Sequence, residues 1–213
     1  MSGDDDWTAA VADRMIRETN LAAERLRESG VQPIGLVPGS DHPPAGHIAE
    51  QTSGPAADLR PGGVITSVRL RYGDAADQSA TVVDITSDFT PDFKSFCPLE
   101  YELVRAQNEY QAIARGELDI SDPPDEPEGP FTRGSAEILL NGAQQTIATL
   151  TYADYHALRF EFNGVHVTVV SRYEMPGPLS FEPITDLTPY LPGALDREDL
   201  RRHLRSRPGQ IFE

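Results

Sequence analysis

Cysteine is almost absent from this chain, because Cys97 is the only one in 213 residues. A single cysteine excludes an intramolecular disulfide framework. No stretch approaches the roughly 18 consecutive apolar residues that a membrane-spanning helix needs. The first residues, Met-Ser-Gly-Asp-Asp-Asp, lack the basic and apolar regions of a secretory signal. These absences together predict a cytoplasmic protein.

Sequence motifs of several large enzyme classes are also missing. The chain contains no G-x-S-x-G of serine hydrolases, no G-x-x-x-x-G-K-[ST] phosphate loop and no G-x-G-x-x-G between a strand and a helix. Nucleotide-dependent chemistry therefore has no support in the sequence. We expect a protein without a cofactor, and we favour a non-enzymatic function over an enzymatic one.

Positive charge is scarce, with 18 Lys and Arg against 34 Asp and Glu and a formal net charge of -16. Phosphate backbones and anionic membrane surfaces repel such a surface, so we expect no direct binding to nucleic acid or membranes. A basic protein partner would instead be steered toward it. The simpler explanation, which we prefer for the charge itself, is that excess Asp and Glu keep the protein soluble.

The length suits a single α+β domain covering 1–213. Its 18 Pro and 17 Gly predict long irregular connections. The acidic, proline-rich stretch 117–130 resists both helix and strand, and we interpret it as an internal loop. A division of the chain into two lobes at this loop is the alternative.

Two long helices are predicted from apolar residues at helical spacing, at 6–29 and 98–115. Gly30 and Gly116 are suited to end these helices, and Pro98 suits the first helical position of the second one. A shorter charged helix follows Asp196 near the C-terminus.

Strands are predicted around these helices. Residues 31–37 form at best an edge strand because Pro33 interrupts them. Residues 38–63 are predicted to be irregular. The alternating stretch 64–72 places Arg69 and Arg71 on its polar face, and 79–89 is the returning strand.

The clearest structural signal is a pair of Asn-Gly turns, Asn141-Gly142 and Asn163-Gly164. Each dipeptide lies between strand-like runs and favours a type I′ hairpin turn, which needs two positive φ angles. Four strands follow, at about 133–140, 143–151, 156–162 and 165–172. The second hairpin should place Phe160 opposite Val167 on an apolar face, with Glu161 opposite His166 on the reverse.

The order of these elements predicts an antiparallel or mixed sheet built from β-hairpins, with the helices on one face. Residues 173–193 hold apolar side chains among five prolines. We expect them to dock an extended segment on the sheet or on a helix.

One candidate site is a metal centre in the 38–63 stretch, formed by Asp41, His42 and His47 with Glu50 nearby. Imidazole and carboxylate are competent zinc or iron ligands, and function concentrates on loops. Against this hypothesis, the H-x4-H spacing matches no established ligand pair and no third histidine lies close in sequence. A metal-dependent small-molecule enzyme is therefore an alternative.

Cys97 precedes a proline-started helix, whose dipole could lower the pKa of its thiol, and His156 or His166 could serve as its base. The favoured interpretation is a buried thiol among apolar neighbours. The Glu161–His166 pair could act in acid–base chemistry, but we prefer a structural cross-strand pair.

Our preferred hypothesis is a non-enzymatic interaction protein that binds and masks a protein partner, a basic one being favoured. Immunity and inhibitor proteins share its size, acidity and lack of catalytic groups, which is an analogy of composition only. The carboxylates expected to steer association are Asp119, Asp122, Asp125, Glu126 and Glu128. A small-ligand pocket between the apolar sheet face and the proline-rich tail is a further alternative, and aromatic residues that would suit its wall, although they suit a filled core better, are Phe160, Phe162, Tyr173, Phe181 and Tyr190. The sequence predicts neither the partner's identity nor the oligomeric state.

Overall fold

The computed structural model describes residues 17, 19–37, 44–53, 64–73, 79–89, 97–115, 127–173 and 178–191, with the backbone alone at 44–53, 64 and 113–115. These ranges contain two helices and one nine-stranded sheet. In chain order the elements are α1 (19–29), β1 (Ile34–Leu36), β2 (Pro44–Ser53), β3 (Val64–Tyr72), β4 (Val82–Asp88), α2 (Leu99–Arg115), β5 (Thr132–Leu140), β6 (Ala143–Tyr152), β7 (Tyr155–Phe162), β8 (Val165–Arg172), β9 (Leu179–Pro183) and a 3-10 turn (Thr188–Tyr190).

The strands are ordered β1-β9-β5-β6-β7-β8-β4-β3-β2 across the sheet. Every neighbouring pair is antiparallel except β5 and β9, which run parallel. The predicted α+β class with a mixed sheet is therefore confirmed. Strands from before and after the 117–130 stretch belong to the same sheet, and the single-domain assignment stays a prediction. None of the helices in the described ranges is both long and apolar enough to cross a membrane.

The hairpins that surround the two Asn-Gly turns form as predicted. Asn141 and Gly142 have φ angles of 48° and 76°, and Asn163 and Gly164 have 53° and 78°. Both central residues of each turn are thus left-handed, as a type I′ turn requires. The register of β7 and β8 pairs Phe160 with Val167 and Glu161 with His166, as expected.

The two helices pack on opposite faces of the sheet, so the expectation of one helical face is wrong. Ala22, Ala23 and Leu26 of α1 belong to the inner hydrophobic cluster, together with the apolar face of β7 and β8. In α2, Leu103, Ala106 and Tyr110 belong to a second cluster on the outer face. The central strands allow this arrangement because they alternate between two buried sides. The outer side carries Val82, Ala157 and Val170, which are also buried.

The sheet curls until its β1 edge lies against the inner face of β3 and β4. The Ile34 amide donates a hydrogen bond to Ser87 Oγ at 2.8 Å. The Leu36 amide donates to Tyr72 Oη, also at 2.8 Å. Both bonds join backbone amides of β1, the first strand in the order, to side chains of β4 and β3 near the other end of the order. The sheet is therefore nearly closed. The predicted edge strand at 31–37 is confirmed as β1.

Residues 44–53 form β2, so the prediction of an irregular stretch from Pro38 to Gly63 is wrong there. This strand pairs antiparallel with β3 and is the other edge of the sheet. Pro44 is its first residue, a position where the missing amide costs no ladder bond. The pairing register shifts between Pro44 and Ile48 and again between Gln51 and Thr52. These irregularities interrupt the simple alternation that identifies strands in a sequence.

The remaining predicted ends and connections are partly described. Gly30 ends α1 with a φ of 69°. Helix α2 begins one residue after Pro98, whose carbonyl accepts from the Tyr101 and Glu102 amides. The tail docks as an extended segment by becoming β9, with buried side chains at Leu179, Phe181, Ile184, Leu187 and Tyr190. The start of the first predicted helix and the helix after Asp196 lie outside the described residues.

Candidate functional site

A buried group of charged side chains lies between α2 and the outer face of β3 and β4. Arg71 donates from Nε to Asp84 Oδ1 and from Nη2 to Asp84 Oδ2, both at 2.8 Å. Glu109 of α2 accepts from Arg71 Nη2 at 2.5 Å and from Arg69 Nη1 at 2.7 Å. We call Arg69, Arg71, Asp84 and Glu109 the ionic cluster. Its two arginines and two carboxylates balance each other in charge.

The ionic cluster follows from strand register. Arg71 and Asp84 are directly opposite residues of β3 and β4. Tyr110, next to Glu109 on α2, donates its hydroxyl to Asp84 Oδ2 at 2.9 Å, and its ring centroid lies 5.3 Å from Arg71 Cζ. Buried charges are tolerated only when paired and hydrogen-bonded in this way. The cluster therefore fixes the position of α2 on the sheet.

Electrostatics keep Glu109 and Arg71 of the ionic cluster charged at neutral pH. Burial raises the pKa of the Glu109 carboxyl, but Arg71 and Arg69 outweigh it and hold the pKa below the ordinary value. Burial lowers the pKa of Arg71, and Asp84 reverses that effect, so the pKa lies well above the usual range. Groups held in one ionisation state do not exchange protons near pH 7. The cluster serves as an anchor for α2 rather than as an acid–base site.

Sequence reasoning gave no role to Asp84 or Glu109, placed Tyr110 only on the apolar face of the second helix, and assigned Arg69 and Arg71 to a polar strand face. Arg71 and Glu109 are in fact only 6% and 4% exposed. Charged residues are rarely buried, so assigning them to solvent was the default expectation. The available signal was an Arg-x-Arg pair facing an aspartate on the returning strand, with a helix predicted to follow.

A second polar group surrounds His166 on the same outer face. His166 lies opposite Asp88 of β4 on one side and opposite Glu161 of β7 on the other. The next row holds Arg159, whose Nε donates to Thr168 Oγ1 at 2.9 Å. Within the described ranges, no three His, Cys, Asp or Glu side chains are placed to hold a metal ion.

Cys97 lies beside this polar group. Arg159 Nη2 donates to its carbonyl oxygen at 2.8 Å, which holds the segment before α2 against β7. Burial raises the pKa of the Cys97 thiol, and the nearby Glu102 carboxylate raises it further. This direction is opposite to the lowering that a helix start could produce. The environment of Cys97 favours the protonated, unreactive thiol.

Most residues of the two predicted sites lie outside the described part of the chain. Asp41 and His42 are among them, and His47 is described only as backbone in β2. The metal site therefore stays a prediction. Of the predicted steering carboxylates, Asp119, Asp122, Asp125 and Glu126 are outside the described residues, whereas Glu128 is described and exposed.

The aromatic side chains expected to line a ligand pocket mostly pack against other rings. Phe160 and Phe181 have ring centroids 4.9 Å apart, and Tyr72 meets Tyr190 edge to face at 5.7 Å. Phe160, Phe181 and Tyr190 are buried in the inner cluster. Tyr173 is on the other side of the sheet, against Arg172 of β8.

The outer face of the hairpin formed by β5 and β6 is open to solvent. Ser135 pairs with Ala148 and Glu137 with Thr146, and all four are exposed. The only charged residues between 132 and 152 are Arg133 and Glu137, which cancel. This surface, which we call the hairpin face, is therefore nearly uncharged in a chain with a net charge of -16.

An aromatic group lies where the hairpin face meets the body of the sheet. The Phe131 and Tyr152 ring centroids lie 5.1 Å apart with the ring planes tilted by 35°. Tyr152 pairs with Tyr155, which pairs with Arg172, and the next residue, Tyr173, is 36% exposed. The Tyr173 amide donates to the carbonyl of Asp154, in the turn between β6 and β7, at 2.6 Å. We call Phe131, Tyr152 and Tyr173 the aromatic patch.

Comparison of the chain with protein-family models, curated proteins and solved structures found no match.

Proposed function

We propose that this chain is a non-enzymatic acidic protein that binds and masks a basic protein partner, as immunity and inhibitor proteins do. The observation that carries the proposal is the hairpin face. Ser135, Thr146 and Ala148 are exposed side by side on paired strands, without net charge. The core of a protein–protein interface is depleted in charged residues in the same way.

Acidic residues border this uncharged surface in the sequence. Glu128 is exposed and lies four residues before the first residue of β5. Asp119, Asp122, Asp125 and Glu126 precede it directly. In such an arrangement the uncharged contact surface supplies affinity, whereas the charged rim mainly raises the association rate. A basic partner is the one that this acidic rim would attract.

The proposal is tested with two single substitutions on neighbouring residues of β6. Thr146 lies on the hairpin face, and Gln145 is exposed on the opposite side of the same strand. Thr146→Arg and Gln145→Arg change the net charge equally. The original chain and each variant serve as bait in pull-downs from a lysate of the native source, at low and at high salt. The retained proteins are identified by mass spectrometry.

The proposal requires one basic protein that the original chain and Gln145→Arg retain at low salt and that Thr146→Arg loses. Binding of the purified partner should weaken by about tenfold for Thr146→Arg, the effect of one disruptive change at an interface core. Retention of that partner by both variants alike would remove the hairpin face from the interaction. Retention of no specific protein by the original chain would overturn the proposed function.

The metal-dependent enzyme and the small-ligand binding protein remain alternative predictions. The first rests on Asp41, His42 and His47, and metal analysis of untagged protein grown with zinc, iron and manganese tests it. Less than stoichiometric metal would exclude its metal-dependent form. A screen of small molecules by thermal shift tests the second alternative, since a ligand that binds only the folded state raises the unfolding temperature.

A further inference from the structure

Tyr173 of the aromatic patch combines two features that are uncommon on a protein surface. Tyr173 has a φ of 66°, which is unfavourable for a bulky residue. Its aromatic side chain is nevertheless 36% exposed. Local backbone strain of this kind concentrates at functional sites. A strained and exposed aromatic residue of this kind is a candidate contact residue.

The Tyr173 ring already accommodates a guanidinium group. Arg172 Cζ lies 5.4 Å from the centroid of Tyr173 and 5.8 Å from that of Tyr110. Both distances are within the range of cation–π attraction. Phe131 and Tyr152 add a tilted pair of rings, each half-buried against the outer cluster. The patch thus offers several ring surfaces of the kind that arginine side chains stack on.

Two exposed carboxylates lie close in sequence to residues of the aromatic patch. Asp154 is exposed in the turn between β6 and β7, and its carbonyl holds the Tyr173 amide. Glu128 is exposed three residues before Phe131. The backbone between Glu128 and Phe131 passes close to the Phe131 ring, since a Cβ at Gly129 would lie 3.1 Å from Phe131 Cδ2. Carboxylates beside aromatic rings complement a cation in both charge and geometry.

We infer that the aromatic patch, with Glu128 and Asp154 close to it in sequence, receives arginine side chains of the basic partner. This inference rests on the proposed function and names the chemistry that its partner must present. Phe131 and Tyr152 continue the outer row of side chains that leads to Ser135 and Ala148, so the patch adjoins the hairpin face. Aromatic residues and arginine are the residues that most often dominate interface energies.

The test uses a synthetic peptide of alternating arginine and glycine and a matched peptide with citrulline in place of arginine. Citrulline keeps the shape of the side chain and removes the charge. Backbone amide shifts of the full chain are followed by NMR during titration. We expect the arginine peptide to shift residues 128–131, 152–155 and 172–173, and the citrulline peptide to leave them unchanged.

Three variants separate the aromatic patch from the general acidity of the chain. Tyr173→Asn removes the ring while tolerating a left-handed backbone, and it should weaken arginine-peptide binding by about tenfold. Asp154→Asn should weaken it by about threefold, the effect of one exposed ion pair. Glu24→Gln removes an exposed carboxylate from α1 and should have no effect. Amide spectra of the free variants verify that each keeps its fold.

Equal binding of the two peptides, or equal binding by Tyr173→Asn and Glu24→Gln, would overturn the inference. The proposed function is judged separately with the retained partner. A partner lost by Thr146→Arg and kept by Tyr173→Asn would support the masking function and exclude the patch. Arginine-specific binding at the patch, with no partner retained from lysate, would support the subsite and reject the masking function.

Discussion

Arg71 and Asp84 face each other across β3 and β4 and share two hydrogen bonds of 2.8 Å under α2. The pair lies on the strand face that its sequence pattern assigned to solvent. Helix α2 closes over it with Glu109 and Tyr110, which both contact the pair. A cross-strand ion pair and a helix are therefore joined in one buried unit.

Removal of one member of the Arg71–Asp84 pair should be strongly destabilising. Arg71→Met leaves two carboxylates buried without their principal partner, and we expect a loss of about 3 kcal/mol in the free energy of unfolding. Urea unfolding followed by circular dichroism measures it. Arg105→Met is the control, because the Arg105–Glu102 pair on α2 is only partly buried, with the Arg105 side chain 41% exposed, and should contribute about 1 kcal/mol or less. Equal losses for the two variants would contradict the buried ionic cluster.

Acid should weaken the attachment of α2. The pKa of Glu109 is lower in the folded chain than in the unfolded chain, where it is about 4.3. Its stabilising effect is thus fully present above that value and is lost as the pH falls through the lower, folded pKa. In Glu109→Gln this contribution is absent, so stability should fall less steeply in acid. Parallel pH profiles of the urea midpoint for the two proteins would refute this role.

Gly35 should not tolerate a side chain. A Cβ there would lie 2.4 Å from Tyr72 Oη and 2.6 Å from Ile184 Cγ1, so Gly35→Ala overpacks the contact between β1 and β3. We expect a loss of about 2 kcal/mol in the free energy of unfolding. Tyr72→Phe removes the acceptor of the Leu36 amide and should lose about 1.5 kcal/mol.

The double variant Gly35→Ala, Tyr72→Phe tests how Gly35→Ala destabilises the protein. The cause is either crowding against the Tyr72 hydroxyl or a general effect on β1. Deleting the Tyr72 hydroxyl removes the nearest of the three atoms that the new methyl group meets. The combined loss should therefore be smaller than the sum of the two single losses. Additive losses in urea unfolding would indicate that the Tyr72 hydroxyl does not limit the space at Gly35.

Cys97 should react slowly with iodoacetamide. Burial and Glu102 raise the pKa of its thiol, so little thiolate is present at neutral pH. Glu102→Gln should lower that pKa and shift the rate profile toward lower pH. The reaction of an unstructured cysteine peptide supplies the reference rate at each pH. A rate for Cys97 above the peptide's at pH 7 would contradict a shielded thiol and revive the catalytic interpretation.

Local chemistry made the β5–β8 region predictable. Asn141-Gly142 and Asn163-Gly164 define both the turns and the register of their hairpins, because two left-handed residues in sequence leave few other conformations. The pairing of Glu161 with His166 followed from that register alone. These contacts join residues close in sequence, so the pattern contained the needed information.

Contacts distant in sequence were beyond prediction. The placement of β9 between β1 and β5 depends on which strand edges remain open after the hairpins form. The ionic cluster likewise requires the position of α2, since Glu109 reaches Arg71 from 38 residues away. The sequence around a charged residue does not show whether that residue will be buried against an oppositely charged side chain. The hairpin face and the aromatic patch could be identified only from burial and ring geometry.

The position of β9 also constrains the order in which the chain can assemble. This strand hydrogen-bonds to β1 on one side and to β5 on the other, although β1 is made almost 150 residues earlier. During synthesis β1 must therefore wait, while the β5–β8 hairpins can form as they emerge. Loop closure over such a separation makes folding slow relative to hairpin formation. A newly made chain consequently exposes the edges of β1 and β5 until β9 is synthesised, and unpaired strand edges favour aggregation during that interval.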